Sequence, residues 1–207
     1  MTNDDARVDR RGFLKVTTAA GVAAAGAAVA GTSAAQEACV SPEPFVRVDT
    51  PLQVRRVVTG HDENGRSVVA VDEIASNILS RREGHQGALI WSSGTFPVDN
   101  TDPQDGGMRQ VATTDANGTV FRVVKYDPGV VPRSHRTESV DYAVVMSGEI
   151  DMELDEGVVT LRQGDVLVQR GTIHNWINRG TETCVIAVIL VHAKPVEAGG
   201  QVLHAHG

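Results

Sequence analysis

An all-β fold is predicted for this chain on three grounds. Turn sequences recur between short runs rich in valine, and the clearest of those runs alternates polar with apolar residues. Glycine is plentiful, 21 of 207 residues, while aromatics make up only 4%. Short strands closed by tight turns use glycine freely and place β-branched residues on pleated, half-buried surfaces. With 41% apolar and 22% charged residues this is the composition of a folded chain, and its length allows one ordinary domain with extra segments.

The elements follow in chain order. Asp62-Glu63-Asn64-Gly65 separates Val54–Val58 from Val68–Val71, and Asp115-Ala116-Asn117-Gly118 separates Val111–Thr114 from Val120–Tyr126. Asn-Gly is a strong hairpin signal because both residues tolerate positive φ. One helix is expected, over roughly Asp72 to Arg82. Leu89 to Pro103, where Ile90-Trp91 precede a Pro/Asp/Gly-rich stretch, is expected to form a lid or rim. Ser147-Gly148 and Asp155-Glu156-Gly157 divide three further strands. In the middle one Ile150, Met152 and Leu154 alternate with Asp151 and Glu153, the period of a half-buried strand. Thr183 to Val191 is a continuous apolar run that suits a strand covered on both faces, with Cys184 as a small core residue. Many short antiparallel strands without long helices point to a barrel or jelly roll.

The first 35 residues read differently. Arg10-Arg11-Gly12-Phe13-Leu14-Lys15 precedes an alanine-rich apolar stretch, Val16 to Ala30, and Ser33-Ala34-Ala35 supplies small residues for a peptidase. A basic segment, an apolar segment and a small-residue site in that order describe an export signal. The paired arginines resemble the twin-arginine type, with Asp9 where that signal usually carries Ser or Thr. The chain is therefore expected to be exported, to the periplasm or the medium. The sequence carries a net charge of −7 and no Lys/Arg cluster, which excludes a nucleic-acid binder. Two cysteines, Cys39 and Cys184, are too few for a disulfide scaffold or a four-thiolate zinc site.

Seven histidines are present, and two stand among polar residues in an otherwise apolar region. In Gly129-Val-Val-Pro-Arg-Ser-His135-Arg-Thr137-Glu-Ser139-Val-Asp141, strand parity places His135, Thr137, Ser139 and Asp141 on one face. Gly171-Thr-Ile-His174-Asn-Trp176-Ile-Asn178 places His174, Trp176 and Asn178 together in the same way. Polar groups facing a barrel interior are costly unless they bond one another, a metal or a ligand. His61 and His85 are expected in solvated turns, His192 at a strand end, and His204 and His206 in a tail. Arg55-Arg56 is expected either to pair with acidic neighbours or simply to lie at the surface.

These segments resemble the two motifs of the cupin superfamily. Gly129, His135, Asp141 and Gly148 fit the spacing of its first motif, G-x5-H-x-H-x3/4-E-x6-G. Gly164, Gly171, His174 and Asn178 correspond to the second, G-x5-P-x-G-x2-H-x3-N, one residue short after Gly164 and with Gln169 in the proline position. The resemblance implies a double-stranded β-helix over residues 110–193. It would follow a β-rich extension, 36–109, packed on or across the barrel, and precede a tail, 194–207. The family's metal site has three histidines and a glutamate; here the second histidine is Thr137 and the glutamate is Asp141. His135, Asp141 and His174 could still hold iron, zinc or manganese facially, or satisfy one another by hydrogen bonding without metal. Thr137, Ser139, Gln169, Trp176 and Asn178 would line the pocket. The resemblance thus implies an exported small cupin acting on a small organic substrate by dioxygenase, decarboxylase, isomerase or lyase chemistry, with His135, Asp141 and His174 as catalytic residues. The alternative is a metal-free barrel that binds a small molecule without turnover. A homodimer is the expected assembly.

Overall fold

A computed structural model describes residues 50–207. The export signal expected over residues 1–35, and Cys39, lie outside the described residues. Within them the chain forms thirteen strands and no helix. In order these are β1 (Arg55–His61), β2 (Ser67–Ile74), β3 (Ile78–Arg82), β4 (His85–Ser93), β5 (Thr119–Tyr126), β6 (Ser139–Ser147) and β7 (Glu149–Glu153). Next come β8 (Val158–Arg162), β9 (Val166–Arg170), β10 (Asn175–Ile177), β11 (Cys184–His192), β12 (Val196–Ala198) and β13 (Gln201–Leu203).

Two sheets make the barrel. The larger has the order β3-β4-β5-β11-β6-β9 and the smaller β10-β7-β8. β11 lies between β5 and β6, antiparallel to both, although it follows them by some forty residues or more. That long return is the double-stranded β-helix crossover, and the fold is all-β as predicted. The core fills the space between the sheets: Val124 and Tyr126 of β5, Val145 of β6, Ile150 and Met152 of β7, Trp176 of β10, and Cys184 and Ile186 of β11 form one buried cluster. Cys184 is fully buried, as expected, and burial pushes its thiol up to about 12, which leaves it unreactive.

The motif glycines are conformational requirements. Gly129, Gly148, Gly164 and Gly171 all have positive φ. At Gly148, where β6 turns into β7, a Cβ would also stand 2.7 Å from the carbonyl oxygen of Thr183.

Five expectations are corrected. No helix forms over 72–82; those residues end β2 and make β3, because their apolar side chains find sheet partners and no helix-packing surface. Val111–Thr114 is not a strand, and Leu89 to Ser93 is no lid but part of β4, paired along its length with β5. The β11 run is not covered on both faces: its burial alternates, and Ile189 is exposed. Arg56 is not at the surface. It is 2% exposed and forms a pair of hydrogen bonds with Asp105, at 2.6 and 2.8 Å, and another with Glu73 at 2.5 Å. That network ties the β1–β2 hairpin to the loop after β4.

Breaking a buried pair leaves a charge without compensation, whereas an exposed pair contributes little. Asp105→Ala should therefore cost about 2–4 kcal/mol, read by urea unfolding. Asp72→Ala, which removes only the exposed Arg55–Asp72 pair, should leave the urea midpoint nearly unchanged.

Candidate functional site

The two motif segments meet at the barrel interior. His135 and His174 form an isolated antiparallel bridge, each backbone N–H donating to the other's carbonyl oxygen at 2.9 Å. This pairing sets their imidazoles 4.3 Å apart, centroid to centroid. His174 also meets Trp176 edge-on at 5.9 Å, and Trp176 packs on Tyr126. The three form one side of a cavity of about 90 Å³, several times the space one water needs.

Each imidazole is oriented through Nδ1. That of His135 lies 3.1 Å from the carbonyl oxygen of Arg133, and that of His174 lies 3.0 Å from the carbonyl oxygen of Thr172. A carbonyl only accepts, so Nδ1 of His135 carries the proton and its Nε2 keeps a lone pair. Nδ1 of His174 also lies 3.1 Å from the amide nitrogen of Gln169, which only donates, so its two contacts call for opposite tautomers. Gln169 braces the same turn, its amide donating to Thr172 O at 2.8 Å, while its Oε1 is buried without a partner. Burial, followed by the neighbouring His174, pulls His135 down to about 4; burial lowers His174 too. Both rings are therefore neutral at physiological pH.

Asp141 lines the same cavity at 6% exposure. Burial raises its carboxyl to about 6, against the lowering effect of Ser139. Ser139 Oγ stands 2.5 Å from Asp141 Oδ1 and 2.8 Å from Thr137 Oγ1, so the parity argument placed these three together correctly. Ser139 is placed to donate to either partner, and having one proton it serves Asp141 or Thr137 at a time.

The cavity wall thus includes His135, Asp141, His174, Gln169 and Trp176. Three expected lining residues are elsewhere. Ser139 lies behind Asp141, and Thr137 borders a separate surface pocket with His206. Asn178 is 1% exposed and braces a turn, its amide donating to the carbonyl oxygens of Tyr126 and Glu182. His85 is the converse case. It is not a solvated turn residue but opens β4 opposite Tyr126 in the register, stacks edge-on against that ring at 5.4 Å, and lines the cavity. Burial, reinforced by Arg82, lowers it to about 4. Nothing in its local sequence signals this, because the placement depends on β4–β5 pairing. The tail is also ordered: β12 and β13 pair, and His206 bridges to Arg136 through the backbone.

Two neutral imidazoles suit a divalent ion. Among the described residues, however, no three His, Cys, Asp or Glu side chains converge closely enough to hold one. Thr137 replaces an imidazole, and the shorter Asp141 is held back by Ser139. As they stand, these residues do not complete a metal site.

Comparison with known proteins decides the family. Residues 122–191 match the model of the cupin domain. Cupin-domain-containing oxidoreductase fogC of Aspergillus ruber is 33% identical over 164 residues, spanning 74% of this chain and 80% of its own. The chain belongs to the cupin family. Phomopsin biosynthesis cluster protein C' of Diaporthe leptostromiformis is 36% identical to this cupin over 164 residues, covering 72% and 83% of the two chains. Among solved structures it is similar to KdgF from Halomonas sp., with a TM-score of 0.39 and 18% identity over 55% of this chain and 84% of that one.

The buried groups make the cupin's stability pH-dependent. Between about pH 6.5 and 4 the unfolded chain protonates His85 and His135 while the folded chain does not, so acid favours unfolding. Asp141 acts in the opposite sense: between about pH 3.8 and 6 the folded chain keeps a proton that the unfolded chain releases. Two imidazoles, with His174 in the same direction, outweigh one carboxyl. The Tm should fall as pH drops from 7 to 4.5, and the slope should be shallower in His85→Gln.

Proposed function

We propose that this cupin is an enzyme that transfers protons to and from a small organic molecule held in the barrel. His135 would accept a proton at Nε2 and His174 at its unprotonated ring nitrogen, and Asp141 would supply or return one. The observation that carries this reading is the split between neighbouring groups: imidazoles held neutral and a carboxyl raised to about 6 line one cavity. A base and an acid with useful occupancy at the same pH are what general acid–base catalysis requires. Binding at the two imidazoles and at Asp141 would orient the reacting carbon, and the wall of Trp176 and aliphatic residues would exclude water. Relatives described as oxidoreductases, and as products of biosynthesis clusters, support small-molecule chemistry.

Export rests on Arg10-Arg11 and the alanine-rich stretch after them, and fractionation of the full chain tests it. A homodimer is supported by one feature: Tyr142 and Val144, paired with Val168 and Val166, leave an exposed apolar sheet face. Light scattering tests that.

To test the enzyme reading, purified protein is incubated with a panel of small organic metabolites and followed by mass spectrometry. At least one compound should be consumed, and His174→Gln and Asp141→Asn should each slow that consumption at least about 100-fold. Compounds that bind but are not consumed would leave a barrel that binds without turnover. A stoichiometric metal, lost in His174→Ala, would replace this reading by a metal-dependent one.

A further inference from the structure

The charge balance of the cavity is opposite to that of the chain. The sequence carries a net −7, yet four arginines, Arg81, Arg82, Arg122 and Arg133, share the cavity wall with one carboxyl, Asp141. With the histidines neutral, that wall carries a net positive charge. Of the eight other described arginines, six (Arg55, Arg56, Arg66, Arg109, Arg162 and Arg179) pair with a side-chain carboxylate. Among the described residues none of the four cavity arginines pairs with a side-chain carboxylate, and Arg133 donates to the oxygen of Gly207.

They are also placed at a cost. Arg122 is only 9% exposed, and burial, with Arg81 nearby, lowers it to about 10. One of its nitrogens donates to the carbonyl oxygen of Ala112, and its Nε is buried without a partner. Arg82 stacks over Tyr126 at 6.0 Å, and its Nε is likewise unpartnered. The same wall holds two more unpartnered buried atoms, Nδ1 of His85 and Oε1 of Gln169. Partly desolvated guanidinium groups that repel one another persist only where something offsets the repulsion. Planar carboxylates match the guanidinium fork, and the aliphatic wall of Val124, Leu167, Ile186 and Val188 suits the carbon body of such a molecule rather than a bare inorganic ion.

We infer that the ligand of this cavity is a small organic carboxylate, its charge held in the field of Arg81, Arg82 and Arg122 and its body lying against the aliphatic wall beside the two histidines. This rests on the cavity being the reaction site, and it names the substrate class. Carboxylate binding would also bring a negative charge close to the imidazoles, favouring a proton there as it is accepted.

Calorimetric titration at fixed ionic strength tests the inference with matched probes: butyrate against butyramide, benzoate against benzamide, and inorganic phosphate. The carboxylates should bind at least tenfold more tightly than their amides and than phosphate. Arg82→Gln and Arg122→Gln should each remove most of that preference, whereas Arg170→Gln, on the exposed rim of β9, should leave it intact. Near-UV circular dichroism checks folding. Arg82→Gln decides if Arg122→Gln fails that check, since Arg122 also holds the loop carbonyls. Amides binding as tightly as carboxylates, phosphate binding as tightly as carboxylates, or a preference that survives Arg82→Gln would overturn the inference. The two readings fail separately: carboxylate preference with no compound consumed removes only the enzyme, and turnover of neutral compounds without that preference removes only the carboxylate.

Discussion

His135 and His174 are hydrogen-bonded to each other through both backbone amides, and the site depends on that bridge. One histidine precedes β6 and the other precedes β10, so the contact joins the larger sheet to the smaller one at the open end of the barrel. It fixes the separation of the rings. It also brings the carbonyls of Arg133 and Thr172, each two residues upstream of its histidine, into reach of Nδ1. For His135, backbone geometry therefore chooses the tautomer, with Nδ1 holding the proton.

Around that bridge the low polarity of the interior sets the protonation states. The same burial that keeps the imidazoles neutral keeps Asp141 partly protonated, so opposite shifts have one cause. The hydroxyl of Ser139, placed against both Asp141 and Thr137, moderates that rise. The arginines complete the picture by placing positive charge where the only ionisable carboxyl is already buried.

Much of this was legible in the chain because it depends on local order. The glycines that permit the turns, the alternation in β7 and the parity that links Thr137, Ser139 and Asp141 are properties of a few consecutive residues. So is the spacing of the two cupin motifs. His85, Arg82 and Arg122 were not legible as site residues, since they come from β3, β4 and β5 and reach the cavity only after those strands join the sheet. Arg56 was misjudged for a related reason, its partner Asp105 being far along the chain. The mistaken helix at 72–82 reflects apolar residues whose sheet pairing overrides their local pattern. Asn178 shares its parity with His174 and Trp176, but the chain turns there, and its amide serves that turn.

The central claim is that the fold holds His135 and His174 neutral, with the proton of His135 on Nδ1. Nitrogen-15 NMR of histidine-labelled protein across pH 4 to 8 reads both the tautomer and the titration of each ring, with His135→Gln and His174→Gln used for assignment. The account predicts the Nδ1–H tautomer for His135 and no protonation of His135 until the pH falls well below 6. Both rings titrating near 6.5, or His135 protonated at Nε2 when neutral, would contradict it.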